Sequence, residues 1–330
     1  MQKFLGDLRL AEIPVPGRRD RTMVLDRLAY GAEETADMLG DFIGTVKIGW
    51  GLPLLLDEKV LLRRVGHFRT RGIHVSNGGT LLETAISRGK AMQCLARLRE
   101  ARFDTIELSE GIIDIPERLK RSVAEFAHSN GLRLNVEVGK KNPGAQLSLD
   151  ETVERISSSA DLEPDMIIIE GRETGTGVEI YDGAGNIKWD WVERILEECD
   201  SGIVMFEAPM ERQQTEMIMR LGPDVALGNV SVTSVGALET QRNGLRGDTF
   251  GYSQVMPDLR SGPASKFIYY ILSTRGAMDQ TRIVRTTGVN RRTVQKSLEN
   301  LIRAGVVTET RDQHDLRRRI YTCSHGLREQ

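Results

Sequence analysis

The first 250 or so residues alternate short runs of apolar and β-branched residues with longer amphipathic runs. Stretches such as KAMQCLARLREAR and ETVERISSSADLE place apolar residues at helical spacing. Eight short runs have the composition and alternation of strands: TMVLD (22–26), GTVKI (44–48), GIHVSN (72–77), DTIEL (104–108), RLNVEV (133–138), DMIIIE (165–170), GIVMFE (202–207) and DVALGN (224–229). Strands that alternate with helices of this length indicate a parallel sheet. Eight such units predict a TIM (β/α)8 barrel rather than an open doubly wound sheet.

Polar residues stand at or just after the end of nearly every predicted strand. They are Asp26, Arg27, Lys47, Asn77, Glu107, Ser109, Glu110, Glu137, Lys140, Lys141, Glu170, Arg172, Glu207 and Asn229. In a (β/α)8 barrel the carboxyl ends of the strands form one face, where the active site lies. We therefore expect these side chains to converge on a single cavity.

The residue types in this predicted cavity suit an anionic substrate and a hard metal ion. The lysines and arginines could hold an anion, and the backbone N–H groups of the glycine loop GGT (78–80) could cradle a phosphate. The candidate substrate ligands are Lys47, Lys140, Arg172, Arg27, Asn229, Gly78 and Gly79. Glu137, Glu170 and Glu207 offer oxygen ligands, which suit Mg²⁺. Thr80 and Glu83 have the spacing of a helix capping box.

The composition indicates a globular protein without a membrane span. Apolar residues make up 39% of the chain and charged residues 28%, and no apolar run approaches the ~20 residues that a span requires. The N-terminus lacks the apolar core of a secretory signal, and the three cysteines are far apart and odd in number. We expect a cytoplasmic protein without disulfides.

Six segments, taken together and in order, resemble the phosphosulfolactate synthase family. They are KIGWG (47–51), GGTLLE (78–83), EVGKK (137–141), IIIEGRETGTG (167–177), FEAP (206–209) and LRGDTFG (245–251). The resemblance implies a TIM barrel over residues 1–252 that adds sulfite to phosphoenolpyruvate, with Mg²⁺, to give (2R)-phosphosulfolactate in coenzyme M biosynthesis. It also implies that Lys141 is the proton donor. The adjacent Lys140 is expected to lower the pKa of Lys141. Where the family has lysine and glycine after the first strand, this chain has Arg27 and Leu28.

The chain continues beyond this region into a basic segment. Residues 253–330 carry 14 Lys and Arg against 7 Asp and Glu, whereas residues 1–252 carry 31 against 40. After a predicted linker (253–264), residues 265–330 read as three helices and a basic hairpin, which resemble a winged helix-turn-helix. This module is expected to bind double-stranded DNA through Arg291, Arg292, Thr293 and Lys296 on the recognition helix and through Arg311, Arg317, Arg318 and Arg319 in the wing. Its alternative role is protein contact or dimerisation.

Two further functions stay open at this point. The chain could be a transcription regulator whose barrel senses an anionic phosphorylated metabolite, or its barrel could act on a related enol phosphate with another nucleophile. We also expect a homo-oligomer, because barrels of this type often associate and winged helices often pair.

Overall fold

Eight parallel strands form a closed barrel in the computed structural model, which describes residues 18–200, 202–250, 262–303, 306–311 and 318–323. Each strand pairs with its neighbour in sequence, and β1 pairs with β8 to close the ring, with Thr22 opposite Leu227. The strands are β1 Thr22–Asp26, β2 Thr45–Ile48, β3 His74–Ser76, β4 Thr105–Ser109, β5 Arg133–Val138, β6 Met166–Ile169, β7 Val204–Glu207 and β8 Leu227–Ser231. The predicted TIM barrel is therefore confirmed.

Helices follow the strands along the chain and cover the barrel. They are α1 Ala32–Leu39, α2 Glu58–Thr70, α3 Gly79–Ser87, α4 Ala91–Glu100, α5 Glu117–Ser129, α6 Leu149–Ala160, α7 Trp189–Glu198, α8 Glu211–Leu221 and α9 Val235–Arg242. Local sequence sets several of their starts. Ser148 and Glu151 form a reciprocal capping box at the start of α6, and the Asp57 side chain accepts from the Lys59 N–H at the start of α2.

The barrel interior has an apolar layer below a charged one. Met23, Met166, Ile168, Met205 and Ala226 form one cluster of buried residues. Because side chains alternate with period two along a strand, Glu170 follows Ile168 on the same side, and Glu207 follows Met205. The charged residues thus continue the inward-facing columns toward the carboxyl ends of the strands.

The C-terminal segment forms three helices and a small antiparallel sheet. The elements are α10 Pro263–Arg275, β9 Met278–Asp279, α11 Gln280–Thr287, α12 Arg291–Arg303, β10 Val307–Arg311 and β11 Arg319–Cys323. The strand order is β10-β11-β9, so β11 lies in the centre. Leu298 and Leu301 of α12 are buried in a core shared with α10 and α11. The three helices and the hairpin match the sequence prediction, and the winged-helix assignment stays a prediction.

The described chain divides into two compact units. One takes in residues up to Gln214 together with Ala226–Ala237, and the other takes in Thr215–Val225 and residues from Leu238 onward. All eight barrel strands lie in the first unit. Most of the predicted linker falls on 251–261, outside the described residues, and the predicted domain bounds stay predictions. Within the described ranges, no helix has the length and apolar character to cross a bilayer.

Candidate active site

Lys47 lies at the centre of the charged layer, among carboxylates from three other strands. Its Nζ lies 3.0 Å from Glu107 Oε1 on β4, 2.9 Å from Glu137 Oε2 on β5 and 2.9 Å from Glu207 Oε1 on β7. The lysine is 6% exposed and the three glutamates are 4% exposed or less. Side chains that are 60 to 160 residues apart in sequence therefore meet at one mouth, as the sequence predicted for these four residues.

Burial and mutual attraction together set the protonation of this cluster. Burial lowers the pKa of Lys47, but the surrounding carboxylates outweigh it, so the pKa stands well above its ordinary value. Burial raises the pKa of Glu107 to about 7, although Lys47 opposes the shift. Burial also acts on Glu137, but Lys141 and Lys47 hold the pKa of that carboxyl well below its usual range. The cluster thus combines a firmly charged ammonium with a carboxyl that titrates near neutrality.

Lys141 reaches the same cluster, from the end of β5. Its Nζ donates to Glu137 Oε1 at 2.7 Å and lies 3.5 Å from Glu170 Oε2. Burial lowers the pKa of Lys141, yet Glu137 and Glu170 raise it well above its ordinary value. The predicted lowering of this pKa is therefore wrong, because the carboxylates outweigh every opposing effect.

Lys140 points away from its neighbour. Its Nζ donates to Asp114 Oδ1 at 2.7 Å and to the Glu110 carbonyl at 2.8 Å. Among the groups that set the pKa of Lys141, the cation that lowers it is Lys47. Lys140, predicted as a substrate ligand, and Lys141 thus pair with two different groups of carboxylates.

A chain of hydrogen bonds joins the ends of β6, β7 and β8. Glu207 Oε2 accepts from the Gly171 N–H at 3.0 Å and from Asn229 Nδ2 at 3.2 Å, and Asn229 Nδ2 also donates to the Arg172 carbonyl at 2.9 Å. The Arg172 N–H donates to Glu170 Oε1 at 2.8 Å. Gly171 is required for this approach, because a Cβ there would lie 2.6 Å from the Glu207 carbonyl oxygen. Asn229 and the Arg172 backbone therefore fix the carboxylates.

The glycine loop after β3, at the start of α3, contacts the charged cluster. The Gly79 N–H donates to Glu107 Oε1 at 2.7 Å, so this N–H is not free for a phosphate. A Cβ on Gly79 would lie 2.1 Å from Ser109 Oγ, which explains the glycine. The predicted capping box is wrong, because Gly78 is the N-cap of α3 and Glu83 is used elsewhere. Glu83 accepts instead from Ser109 Oγ and from the N–H groups of Ile112 and Ile113.

Arg27 and Arg172 are the predicted cations that keep an available guanidinium. Lys47, Lys140 and Lys141 all pair with carboxylates. Arg27 is exposed, with its guanidinium carbon 5.2 Å from the ring centre of Trp50, and Arg172 is half-buried. Neither guanidinium has a carboxylate partner among the described residues. Leu28, beside Arg27, has a left-handed backbone with φ 62°, the conformation that glycine suits best.

Of the three predicted magnesium ligands, Glu170 fits best. Its Oε2 is buried and has no hydrogen-bond partner, whereas both oxygens of Glu137 pair with lysines and both oxygens of Glu207 accept hydrogen bonds. Mg²⁺ commonly takes only one or two carboxylates and completes its shell with water and phosphate. No three acidic, His or Cys side chains within the described ranges are arranged as a ready metal site. A three-glutamate ligand set therefore stays a prediction, with Glu170 as its best-supported member.

The C-terminal unit presents basic residues on its surface. Arg291, Arg292 and Lys296 of α12 are exposed and Thr293 is half-buried, as the prediction requires. Arg318 pairs with Asp279, and Arg319 pairs with Glu309 at 2.9 Å. Arg317 lies outside the described residues. A groove of about 730 Å³ is lined by five arginines with Asp279 and Tyr321; the arginines are Arg282, Arg285, Arg291, Arg318 and Arg319. Sequence reasoning missed Arg282 and Arg285, because the groove depends on how α11 packs beside the sheet.

In the barrel, sequence reasoning placed Glu107 at a strand end but missed its role as a direct partner of Lys47. Glu107 is embedded in the strand DTIEL, so the inward alternation of that strand could have identified it. The role of Glu83 had no such signal, because its partners, Ser109 at the end of β4 and the N–H of Ile112, lie more than 25 residues away.

A family model and three curated relatives agree on the family of this chain. The model of the family described as "ComA: (2R)-phospho-3-sulfolactate synthase" matches residues 13–248. The phosphosulfolactate synthase of Methanocaldococcus jannaschii is 37% identical over 238 residues, which cover 71% of this chain and 95% of that protein. The corresponding enzyme of Methanothermobacter thermautotrophicus is 33% identical, covering 72% and 93%. The phosphosulfolactate synthase of Bacillus subtilis is 32% identical, covering 64% and 83%.

Proposed function

Because the chain belongs to the phosphosulfolactate synthase family, we propose that it adds sulfite to phosphoenolpyruvate and releases (2R)-phosphosulfolactate. The observation that carries this proposal is the convergence of Lys141 with Lys47 and four glutamates at the barrel mouth. A site of this kind can balance the negative charge that develops when an anion attacks an anionic alkene.

The reaction forms one carbon–sulfur bond and one carbon–hydrogen bond. The sulfur lone pair of sulfite attacks the terminal methylene carbon, and the electron pair of the double bond moves toward the carboxylate to give an ene-diolate. A proton is then added to the neighbouring carbon. The Lys141 ammonium, held in place by Glu137 at 2.7 Å, is the proton donor in this scheme. An ene-diolate carbon is a far stronger base than an amine, so the transfer does not require a lowered lysine pKa.

The cations without a described carboxylate partner, Arg27 and Arg172, would position the substrate. Arg172 can bind a phosphate or carboxylate with two parallel hydrogen bonds. Its backbone is anchored through Glu170 and Asn229, which fixes where the side chain begins. Magnesium would be held by Glu170, together with water and substrate oxygens, and it would stabilise the charge on the ene-diolate oxygens.

A direct assay tests this proposal. Incubation with phosphoenolpyruvate, sulfite and Mg²⁺ should yield the sulfonated product, detected by mass spectrometry and ³¹P NMR. Lys141→Ala should lower turnover by about 100-fold or more, the usual contribution of a positioned acid. Lys59→Ala, which removes an exposed lysine from α2, should leave turnover unchanged. The absence of product with the unmodified protein would refute the proposed reaction, and full turnover by Lys141→Ala would refute the donor role.

A second activity, DNA binding, is supported by the arginine groove of the C-terminal unit. Arg282 and Arg285 are exposed on α11 and lie three residues apart, so their like charges repel unless an anion lies between them. Together with the balance of +7 in residues 253–330, this suits the phosphate backbone of a duplex. If the barrel only senses its ligand, the protein is a regulator rather than an enzyme with a DNA-binding module.

Fluorescence anisotropy with a labelled DNA duplex over a range of salt concentrations tests this activity. The affinity should fall steeply with salt, and Arg282→Gln with Arg285→Gln should reduce the slope of log affinity against log salt by about 2. A control double variant, Arg88→Gln with Arg99→Gln, removes two exposed charges from the barrel and should not change the slope. Binding that is absent, or equal in both double variants, would refute the assignment.

A further inference from the structure

A hydrogen bond between Trp50 and Glu173 joins opposite sides of the barrel mouth. The indole N–H of Trp50 donates to Glu173 Oε1, with 2.5 Å between the two atoms. Trp50 lies two residues beyond the end of β2, and Glu173 lies four residues beyond the end of β6. In a closed ring of eight strands, β2 and β6 are four places apart in either direction. The bond therefore spans the mouth, beyond the charged layer that holds Lys47 and Glu170.

The backbone around this bond is held in unfavourable conformations. Trp50 has φ 56°, Arg172 has φ 54° and Leu28 has φ 62°, all in the left-handed region. A bulky side chain rarely adopts that region, and such conformations are concentrated at binding sites and clamps. Trp50 also leaves 49% of its surface exposed. An exposed, strained tryptophan suits a loop that must change conformation.

The guanidinium of Arg27 lies on the same tryptophan. Its carbon is 5.2 Å from the ring centre, within the range of a cation–π contact. Arg27 follows β1, so the group joins loops from three strands. Because no described carboxylate pairs with Arg27, its charge remains available at the entrance, unlike the charges of the three lysines below it.

We propose that Trp50, Glu173 and Arg27 form a latch across the barrel mouth, which opens to admit substrate and selects small anions through the Arg27 guanidinium. In the closed form the Trp50 and Glu173 side chains cover the charged layer, and the Arg27 guanidinium stacks on the indole ring of Trp50. Opening breaks one hydrogen bond and relieves the strained backbone at Trp50. The selection of phosphoenolpyruvate and sulfite as substrates rests on the proposed function, whereas the latch itself does not.

Tryptophan fluorescence tests the latch without any substrate. The chain has three tryptophans, so Trp189→Phe with Trp191→Phe leaves Trp50 as the only one. In this background, Arg27→Gln should lower quenching by iodide about threefold, as expected when one nearby cation is lost in water, while quenching by neutral acrylamide stays the same. Glu173→Ala should increase quenching by acrylamide. In Glu173→Gln, which keeps an acceptor oxygen, acrylamide should quench Trp50 fluorescence as much as in the parent.

The outcomes separate the latch from the proposed reaction. Equal changes with iodide and acrylamide, or none, in Arg27→Gln would overturn the anion selection. Identical quenching in Glu173→Ala and Glu173→Gln would overturn the bond across the mouth. If the unmodified protein forms no sulfonated product while the quenching results hold, the reaction is wrong and the latch stands. If product forms, Glu173→Ala should raise the KM for phosphoenolpyruvate more than it changes kcat.

Discussion

At the scale of single residues, the site depends on buried charges that are stable only as ion pairs with one another. Lys47 and Lys141 face Glu107, Glu137, Glu170 and Glu207 in surroundings that exclude most water. Removing one partner from such a group leaves the others buried without compensation, which costs more than the pair itself contributes. The way in which a substitution changes stability with pH therefore depends on whether it removes a lysine or a carboxylate.

Lys47→Met should lower the free energy of unfolding by about 3–5 kcal/mol at neutral pH, because it leaves Glu107, Glu137 and Glu207 without their shared cation. Loss of the ammonium removes the group that opposes the raised pKa of Glu107, so the variant should regain stability as the pH falls and this carboxyl takes up a proton. Urea unfolding between pH 8 and pH 5 measures this. Lys59→Met, at an exposed site, provides the control, and a loss that does not depend on pH would contradict the argument.

Gly111→Ala should impair turnover more than stability. A Cβ at this position would lie 2.9 Å from both Cγ and Cδ of Lys141, and the Gly111 carbonyl accepts from the Lys141 N–H at 2.9 Å. The displaced lysine should lower kcat by about 10- to 100-fold. The matched control is Gly66→Ala in α2, where a Cβ meets nothing within 4 Å. This control should gain up to about 1 kcal/mol of stability and keep full turnover, whereas equal effects of the two variants would contradict the role of Gly111.

At the scale of elements, the sequence predicted which segments are strands better than where they end. TMVLD and RLNVEV match β1 and β5, but β8 begins at Leu227 rather than at residue 224. Val225 and Ala226 share the apolar composition of the strand, yet they precede its first pairing with β1 and β7, which no local pattern reveals. The helix start at Gly79 was misjudged for a similar reason, since Glu83 serves a distant loop.

Asp104 joins three elements at the opposite end of the strands. It accepts from His74 Nδ1 at 2.6 Å and from the Val75 N–H at 2.8 Å, and it pairs with Arg69 of α2. Burial raises the pKa of this carboxyl, but the hydrogen bonds and the charges of His74 and Arg69 outweigh it, so the pKa is lowered.

Asp104→Asn should cost about 2 kcal/mol at pH 7, as expected for charged hydrogen bonds in a partly buried site. A lowered carboxyl pKa contributes stability above the unfolded value of about 3.9, and that contribution is lost as the pH falls through the folded pKa. The difference between variant and parent should therefore shrink below pH 4, as measured by urea unfolding. Asp161→Asn, exposed at the end of α6, should show no such trend. A constant difference would show that the lost packing, not the charge, was responsible.

At the scale of the whole molecule, charge and topology separate the residues of the two proposed activities. The barrel strands lie in one compact unit, and the arginine groove is lined entirely by residues of the other. The sequence predicted this arrangement from its charge asymmetry and its strand repeats, because both are properties of long segments. It could not predict which cation meets which carboxylate, because that depends on the register around the closed ring.

If the two functions are independent, each should be lost separately. Arg282→Gln with Arg285→Gln should weaken DNA binding and leave lyase turnover within about twofold, because surface substitutions away from a site have small effects. Lys141→Ala should do the reverse. Both activities should be measured on the full-length protein. A change in DNA affinity when phosphoenolpyruvate is added would instead favour the regulator, since a ligand can shift binding elsewhere only through a coupling free energy.

The lysine at the centre of the barrel mouth has a consequence for how the protein is made. The Lys47 ammonium is part of the polypeptide. Unlike a metal ion, it does not have to be taken up by the cell, and a chelator cannot remove it. The newly synthesised chain can therefore close its ring around the three acidic side chains that Lys47 contacts before any metal ion is bound, and the supply of divalent cations in the surroundings should not limit how much folded protein accumulates.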